Sequence, residues 1–204
     1  MNKVLAALAA LPLVGFAATP AHAIGVTIGE GYLPGSTVTE DFSSGVDGVG
    51  TFSPSVGYAF ADLSGEHILP FSVDTGRYAF VTAGLSPVSL NLTGDMQYFG
   101  LLWGTVDSYN TISFYDGDTL VASYTGSDIA AKAGVVDTGS AVVYANFWAD
   151  AGETFDRVVF ESSQNSFEFD NVRVAPTPLP AALGLFGSAI AGMGALGLRR
   201  RRKV

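Results

Sequence analysis

The sequence predicts an all-β protein: a single jelly-roll-like antiparallel β-sandwich, preceded by an N-terminal signal peptide and followed by one C-terminal transmembrane helix. Two observations predict this organisation. Short runs of β-branched and aromatic residues, separated by Gly, Asp, Ser and Pro, recur through the middle of the 204-residue chain. An apolar segment lies at each end, and such segments are typical of export signals and membrane spans.

Residues 1–23 have the three parts of a secretory signal peptide. Lys3 supplies the positive charge, an apolar stretch follows, and Ala21 and Ala23 form a small-x-small cleavage site. The apolar stretch is shorter than the roughly 20 residues of a transmembrane helix. A buried N-terminal helix is the alternative, but two prolines and a glycine would interrupt it. We therefore expect the export translocase and signal peptidase to act here, leaving Ile24 as the first mature residue.

Residues 24–175 form the predicted sandwich, and about 150 residues are enough for one core of ordinary size. Ten runs have the composition or the alternation of β-strands: Ser36–Phe42, Val56–Phe60, Tyr78–Ala83, Val88–Leu92, Tyr98–Trp103, Thr111–Tyr115, Leu120–Tyr124, Ala141–Trp148, Phe155–Glu161 and Phe167–Val174. Asp116-Gly117-Asp118 is typical of a hairpin turn. The one helical candidate begins at Ser127, as its N-cap, and ends at Gly134.

The C-terminal apolar segment, residues 179–198, is an uncharged run of about the length that crosses a bilayer core as a helix. The basic residues that follow it directly are Arg199, Arg200, Arg201, Arg202 and Lys203. Such a cluster stays on the cytoplasmic side and stops transfer. We therefore expect a transmembrane helix here, with the body of the protein outside the cytoplasm and the tail inside.

Charge and cysteine content exclude several classes of protein. Four basic and nineteen acidic side chains lie in residues 24–176, a formal charge of −15, whereas the whole chain carries −9. A nucleic-acid-binding protein needs a basic face, so we expect no nucleic-acid partner. The absence of cysteine excludes disulfides, iron–sulfur clusters and thiol nucleophiles. His22 and His67 are the only histidines, too few for a three-histidine zinc site.

Residues 176–204 combine a short proline motif, a Gly/Ala-rich span and a terminal arginine cluster. This order resembles the bacterial PEP-CTERM class of sorting signal, and most of all its VPLPA-CTERM variant. The motif is Thr177, Pro178, Leu179, Pro180 and Ala181, with Thr in place of the usual Val. The resemblance implies that exosortase, a membrane-embedded cysteine-dependent transpeptidase, removes the anchor and passes the body to the cell surface or extracellular matrix. The alternative is a protein that stays anchored in the inner membrane.

Two segments of the body resemble a group of exosortase-dependent surface proteins. Tyr98–Thr111 contains F-G-L-x-W-G-T-x-D-x-Y-N, in which the group usually has Ser at the position of Thr105. Phe167–Val172 is similar to the F-x-x-D-N-V strand with which those bodies end. The resemblance implies a shared fold and destination, and it brings no biochemical activity with it.

Two sets of polar residues are candidate binding sites. The first set lies in a predicted loop and could bind a sugar, whose ring would stack on an aromatic side chain while polar side chains bind its hydroxyl groups. Its members are Trp103, Asp107, Tyr109 and Asn110. The alternative is that the Trp is core and the polar residues form Asx turns. The second set offers oxygen ligands to Ca²⁺: Asp116, Asp118, Asp170 and Asn171. Its alternative is a set of solvated turn residues with no cofactor bound.

Catalytic signatures do not stand out in the sequence. Glu153, Glu161 and Glu168 lie near predicted strands, but no feature marks one of them as acid or nucleophile, and His67 has no nucleophile motif beside it. The sequence therefore predicts a non-catalytic exported surface or extracellular-matrix protein. A carbohydrate-binding module for exopolysaccharide is the alternative, and a polysaccharide-degrading enzyme is less favoured. We expect a transient inner-membrane anchor and then a cell-surface or matrix location.

Overall fold

The computed structural model describes residues 24–29, 39–43, 48–70, 76–135 and 141–176. The predicted signal peptide with Ala21 and Ala23, the motif at 177–181, the transmembrane helix at 179–198 and the basic tail lie outside the described residues. Within the described ranges, no helix has the length and apolar character needed to span a membrane.

The described ranges contain ten β-strands and one short α-helix. In chain order they are β1 (Ile24–Ile28), β2 (Gly50–Ser53), β3 (Gly57–Ala59), β4 (Tyr78–Val81), β5 (Val88–Trp103), β6 (Asn110–Asp116), β7 (Thr119–Thr125), α1 (Gly126–Ala133), β8 (Val143–Ala149), β9 (Phe155–Ser162) and β10 (Phe167–Pro176). Every strand pairing is antiparallel. The prediction of an all-β, antiparallel protein is thus confirmed.

The ten described strands are joined by pairing into one sheet of two parts, which share the long strand β5. The first segment of β5, around Val88–Leu92, pairs with β2 and β9, and this part of the sheet continues through β6 to β7. The second segment of β5, Met96–Trp103, pairs with β8 and β10, and this part of the sheet continues to β1 on one side and to β4 and β3 on the other. The pairing with β9 shifts register between Asn91 and Met96. We call the two parts sheet one and sheet two.

The inner faces of the two sheets meet in an aromatic core. Phe160 of β9 and Phe169 of β10 are both fully buried, and their parallel rings stack with centroids 4.4 Å apart. Phe99 of β5 packs edge-on against Phe114 of β6 at 5.9 Å. Burying one such side chain stabilises a fold by roughly 1.5–3 kcal/mol. These ring contacts hold the two sheets face to face.

The strand at the predicted mature N-terminus was not among the sequence predictions. β1 begins at Ile24, which is fully buried and pairs with Ala149 of β8. The hydroxyl of Tyr124 in β7 donates a hydrogen bond to the carbonyl oxygen of Ile24. The first residue of β1 is thereby fixed both to its own sheet and to the edge strand of sheet one.

The short helix and the hairpin both lie where the sequence predicts them, but the helix cap differs. The N-cap is Thr125 and not Ser127, because the Thr125 side chain accepts from the Asp128 N–H at 3.2 Å while the Thr125 N–H donates to the Asp128 carboxylate at 2.8 Å. Gly134 ends the helix with φ of 67°. Gly117, with φ of 55°, forms the β6–β7 turn.

Candidate functional site

Two buried carboxylates lie on the outer face of sheet two. Phe167 and Phe169 of β10 point into the core, so Glu168 and Asp170 between and after them face the opposite way. Even so, the two carboxylic residues are only 1% and 3% exposed. A carboxylate is rarely buried unless partners satisfy it, so the segments that cover this face need to supply those partners.

Glu168 attaches the segment 61–70 to the sheet. Its Oε1 accepts from the backbone N–H of Ile68 at 3.0 Å and from the hydroxyl of Ser166, and its Oε2 accepts from the hydroxyl of Thr105. His67 in the same segment stacks on the ring of Phe80 with centroids 4.2 Å apart. Both oxygens of this carboxylate are therefore engaged in holding the structure together.

Asp170 lies against the segment 39–43, which forms a short bridge with β10. The Glu40 N–H donates to the Val172 carbonyl at 3.1 Å, and the Val172 N–H donates to the Glu40 carbonyl at 2.9 Å. Burial raises the pKa of Asp170 to about 7, because the charged form loses its hydration. The hydrogen bond from the Asn171 N–H opposes this shift, and the charges of Asp41 and Glu40 add to it.

The half-buried side chain of Tyr109 lies in the loop between β5 and β6. Its hydroxyl donates to Oδ2 of Asp107 at 2.8 Å and lies 3.1 Å from the carbonyl oxygen of Asn165. Beside this residue is a small cleft of about 100 Å³, also lined by Asp107, His67 and Glu168. Tyr109 also lines a wider groove of about 510 Å³.

The wider groove is rich in hydroxyl groups. We call it the Tyr109 groove, and its lining residues are Ala83, Ser86, Ser108, Tyr109, Thr111, Glu161, Ser162 and Ser163. Thr111 of β6 and Glu161 of β9 are direct cross-strand partners, so their side chains share the outer face of sheet one. In the part of the chain that the structure describes, the side chains of Ser108, Thr111, Glu161 and Ser163 have no hydrogen-bond partner.

The structure separates the members of the predicted sugar-binding set. Trp103 is fully buried, stacks on Phe167 with centroids 4.2 Å apart, and donates from Nε1 to the Thr105 carbonyl at 3.0 Å. This is the second of the two interpretations that the sequence left open, with Trp103 in the core, where an indole offers no face to a sugar. Asp107 is buried and holds the hydroxyl of Tyr109, which leaves Tyr109 as the accessible aromatic residue of the set.

Asn110, the fourth member of that set, is fully buried and fully hydrogen-bonded. Its Nδ2 donates to the carbonyl oxygens of Thr105 at 3.1 Å and Ser166 at 3.0 Å. Its Oδ1 accepts from the hydroxyl of Ser162 at 2.6 Å. Asn110 therefore connects three segments of backbone, and its side chain has no group left for a ligand.

The residues predicted to bind Ca²⁺ do not come together in one site. Asp116 and Asp118 flank the β6–β7 turn in sheet one, and Asp118 lies 3.9 Å from Nη2 of Arg157. Asp170 and Asn171 are in β10, in sheet two. No group of three or more acidic or histidine side chains in the described ranges is arranged to hold a metal ion.

Several groove residues were not predicted from the sequence to bind a ligand. Thr111 directly precedes the buried Ile112 in β6, and Glu161 directly follows the buried Phe160 in β9. Because successive side chains of a strand point to opposite faces, this order could have placed both residues on the outer face. No comparable signal identifies Ser86, because its position in the groove depends on the fold around β9.

The fold and the groove together define a class: an antiparallel β-protein that presents a hydroxyl-lined surface groove beside one tyrosine. A comparison with the profiles of known protein families gives no match to this chain. A comparison with curated proteins gives no match either. The function is therefore inferred from the chain's own segments and from this groove.

Proposed function

We propose that this chain is a non-catalytic, exported surface or extracellular-matrix protein whose C-terminal segment is processed by exosortase. One observation carries the proposal: one end segment has a positive residue, an apolar stretch and a small-x-small site, and the other has a proline motif, an uncharged run and an arginine cluster. The ten strands of the described ranges all lie between these two segments.

The proposed route follows from the charge and hydropathy of the two end segments. The export translocase carries the chain across the inner membrane, and signal peptidase removes residues 1–23. Residues 179–198 hold the intermediate in the membrane while the basic tail remains in the cytoplasm. Exosortase then releases a jelly-roll-like body with a formal charge of −15, since all six remaining basic residues lie in the removed segments.

The test compares two ways of blocking the route in the native host. Deleting residues 178–204 is expected to yield a body that is exported but neither anchored nor delivered to the surface. Disabling exosortase is expected to leave a larger species in the membrane fraction. An unchanged mature size and surface location in both experiments would contradict the proposal.

A matched pair of variants separates the motif from general effects of proline. Pro178→Ala together with Pro180→Ala is expected to block processing, because proline favours the extended backbone that a protease-type cleft accepts. Pro176→Ala changes a proline at the end of β10, just outside the motif, and is expected to be processed normally. Equal processing of both variants would count against recognition of the proline motif.

The support for a non-catalytic body comes from its buried carboxylates. Glu168 has both oxygens engaged by Ile68, Ser166 and Thr105, and a carboxylate held in this way is a structural acceptor. A glycosidase needs two carboxyl groups on opposite sides of a scissile bond, at roughly 5–10 Å from each other. The cleft of about 100 Å³ beside Glu168 is small for a sugar ring placed between such groups.

A second candidate function is a carbohydrate-binding module for exopolysaccharide. The observation that favours it is the half-buried Tyr109, which forms one wall of the hydroxyl-lined groove. Binding of the full-length chain in detergent to immobilised polysaccharide from the host tests this candidate. Retention of the chain on that polysaccharide but not on a bare matrix is the expected result, and equal elution from both would contradict it.

A further inference from the structure

We infer that the Tyr109 groove binds a segment of neutral polysaccharide, which stacks on Tyr109 and hydrogen-bonds to the hydroxyl groups along sheet one. This inference rests on the carbohydrate-binding candidate above and assigns its ligand class and its contact residues. It replaces the predicted platform at Trp103 with the groove that Tyr109 lines.

The size of the groove fits a carbohydrate ligand. Its volume of about 510 Å³ lies within the range of roughly 300–1,000 Å³ that is usual for small-molecule sites. The small cleft beside Glu168, at about 100 Å³, lies well below that range. The wider groove is therefore the one of these two spaces that accommodates a sugar residue.

The chemistry of the lining suits sugar hydroxyls. The side chains of Ser108, Thr111, Glu161 and Ser163 have no partner in the described chain, so they remain available to a ligand. The Ser86 hydroxyl accepts from the Ser162 N–H at 3.0 Å and keeps its own proton for donation. When an uncharged ligand binds, these donors and acceptors lose hydrogen bonds to water and form hydrogen bonds to the ligand instead. The net change in free energy is small.

The hydroxyl of Tyr109 is anchored by residues that do not line the groove. These anchors are Asp107 and the Asn165 carbonyl, and both residues line the small cleft rather than the Tyr109 groove. A rigid aromatic side chain contributes a large apolar area at low entropic cost. Asp107 is therefore a positioning residue, which acts on the ligand through the orientation of Tyr109.

The accessible contact surface is limited to the groove itself. Cross-strand partners continue from it over the outer face of sheet one, but Val159 and Ser113 in the middle of that row are only 8% and 4% exposed. The Ser113 and Ser123 hydroxyls also lie 2.9 Å apart and hydrogen-bond to each other. The contacts with a sugar are therefore expected from the groove-lining side chains, Thr111 and Glu161 among them.

The charge of the protein selects a neutral ligand. Residues 24–176 carry a formal charge of −15, and Glu161 places a carboxylate in the groove itself. Arg157, a basic residue on the same strand, is already engaged by the Gly117 carbonyl at 2.6 Å and by Asp118. A polyuronate or sulfated chain would meet like charges without a cation to offset them.

The experiment measures binding of the full-length chain in detergent to purified oligosaccharides by calorimetry. The probes are neutral hexasaccharides of glucose, galactose and mannose and a hexauronate of the same length. Binding of a neutral probe with at least tenfold preference over the hexauronate is expected. Equal or tighter binding of the hexauronate would overturn the inference.

Four variants locate the site. Tyr109→Ala is expected to weaken binding about tenfold or more, as loss of a central aromatic contact does. Phe60→Ala is the control: it removes an aromatic residue that is 68% exposed and lies outside the groove, and it is expected to bind normally. Asp107→Ala is expected to weaken binding severalfold and Asp107→Asn to restore it, since an amide oxygen can still accept from the Tyr109 hydroxyl. Circular dichroism shows that each variant is folded.

The outcomes distinguish this inference from the functions on which it rests. If a neutral probe binds and Tyr109→Ala binds equally well, the carbohydrate-binding candidate stands and the assignment to this groove is wrong. If no neutral probe binds, the inference is wrong, and retention on the host polysaccharide decides separately whether the carbohydrate-binding candidate stands. Surface sorting is measured separately and is expected to be the same in wild type and Tyr109→Ala, so its failure is recognised independently.

Discussion

The carboxylate of Glu168 accepts a hydrogen bond from the backbone N–H of Ile68 at 3.0 Å, although the two residues lie 100 positions apart in the chain. The same carboxylate accepts from the hydroxyls of Ser166 and Thr105. Three donors from three segments thus converge on one buried side chain. This carboxylate attaches the segment 61–70, and with it one wall of the small cleft, to β10.

Replacing this acceptor is expected to destabilise the fold. Glu168→Ala leaves the three donors without a partner, and each buried unsatisfied polar group costs about 1–3 kcal/mol. We expect the free energy of unfolding in urea to fall by about 3 kcal/mol or more. Glu161→Ala, at an exposed position of the neighbouring β9, is the control and is expected to leave the stability nearly unchanged. Equal stability of the two variants would contradict the role of Glu168.

Asp170 is expected to make stability depend on pH. Its folded-state pKa of about 7 lies above the value of 3.8 for an ordinary aspartate, so the folded state binds the proton more tightly than the unfolded state. The stability that this proton contributes is fully present below pH 4 and is lost as the pH rises to about 7. Three pH units correspond to at most about 4 kcal/mol.

The variant Asp170→Asn tests this pH dependence. It is expected to unfold at higher urea concentration than wild type at pH 8 and to show a flatter profile between pH 4 and pH 7. The nearby charged residues Glu40, Asp41 and Arg173 are unchanged in it. Asp95→Asn, at an exposed position of β5, is the matched control and is expected to keep the wild-type profile. A parallel profile for wild type and Asp170→Asn would be evidence against a buried carboxylic acid here.

Gly126 is expected to tolerate no side chain, because a Cβ at this position would lie 2.0 Å from the carbonyl oxygen of Asp107. Gly126→Ala should therefore lower the unfolding free energy by about 1–3 kcal/mol, although alanine is the better helix former. Gly94→Ala, where nothing lies within 4 Å of the new Cβ, is expected to be neutral or slightly stabilising. The reverse order of the two melting temperatures would contradict this packing.

The helix cap gives a prediction that distinguishes two neighbouring hydroxyl residues. Thr125→Ala removes the hydroxyl that accepts from the Asp128 N–H, while the N–H of residue 125 can still donate to the Asp128 carboxylate, and the loss is expected to cost about 1 kcal/mol of stability. Ser127→Ala, inside the first turn, is expected to cost less. Thermal unfolding measures both losses of stability. A larger loss from Ser127→Ala than from Thr125→Ala would support Ser127 as the N-cap, as the sequence alone predicts, and would contradict Thr125.

The alternation of apolar residues predicted most of the strands, because side chains two positions apart face the same core. Phe99, Leu101 and Trp103 are spaced two residues apart, and all three are buried. The same spacing predicts that Trp103 lies in the core, which is the alternative that the sequence left open for this residue. The polar residues Thr93 to Asp95 suggested a break between two strands. They lie within β5, where the pairing shifts register and the chain continues from one sheet to the other.

The candidate site depends on contacts that local sequence does not contain. β2, with the sequence Gly-Thr-Phe-Ser, has too little alternation to be predicted, and it forms because β5 offers it an edge. The burial of Glu168 depends on Ile68 from a distant segment. The groove likewise combines residues of β6 and β9 with Ser86, which precedes β5. Tyr109 was predicted as a site residue because it follows Trp103 in one polar loop.

The most direct test of the proposed processing is the intact mass of the form released at the cell surface. We expect a single species that begins at Ile24 and ends within residues 177–181, with the mass of any group that the transpeptidase adds. Such a species lacks both the signal peptide and the basic tail. A surface form that retains Met1 or the residues Arg199 to Lys203 would contradict the proposal.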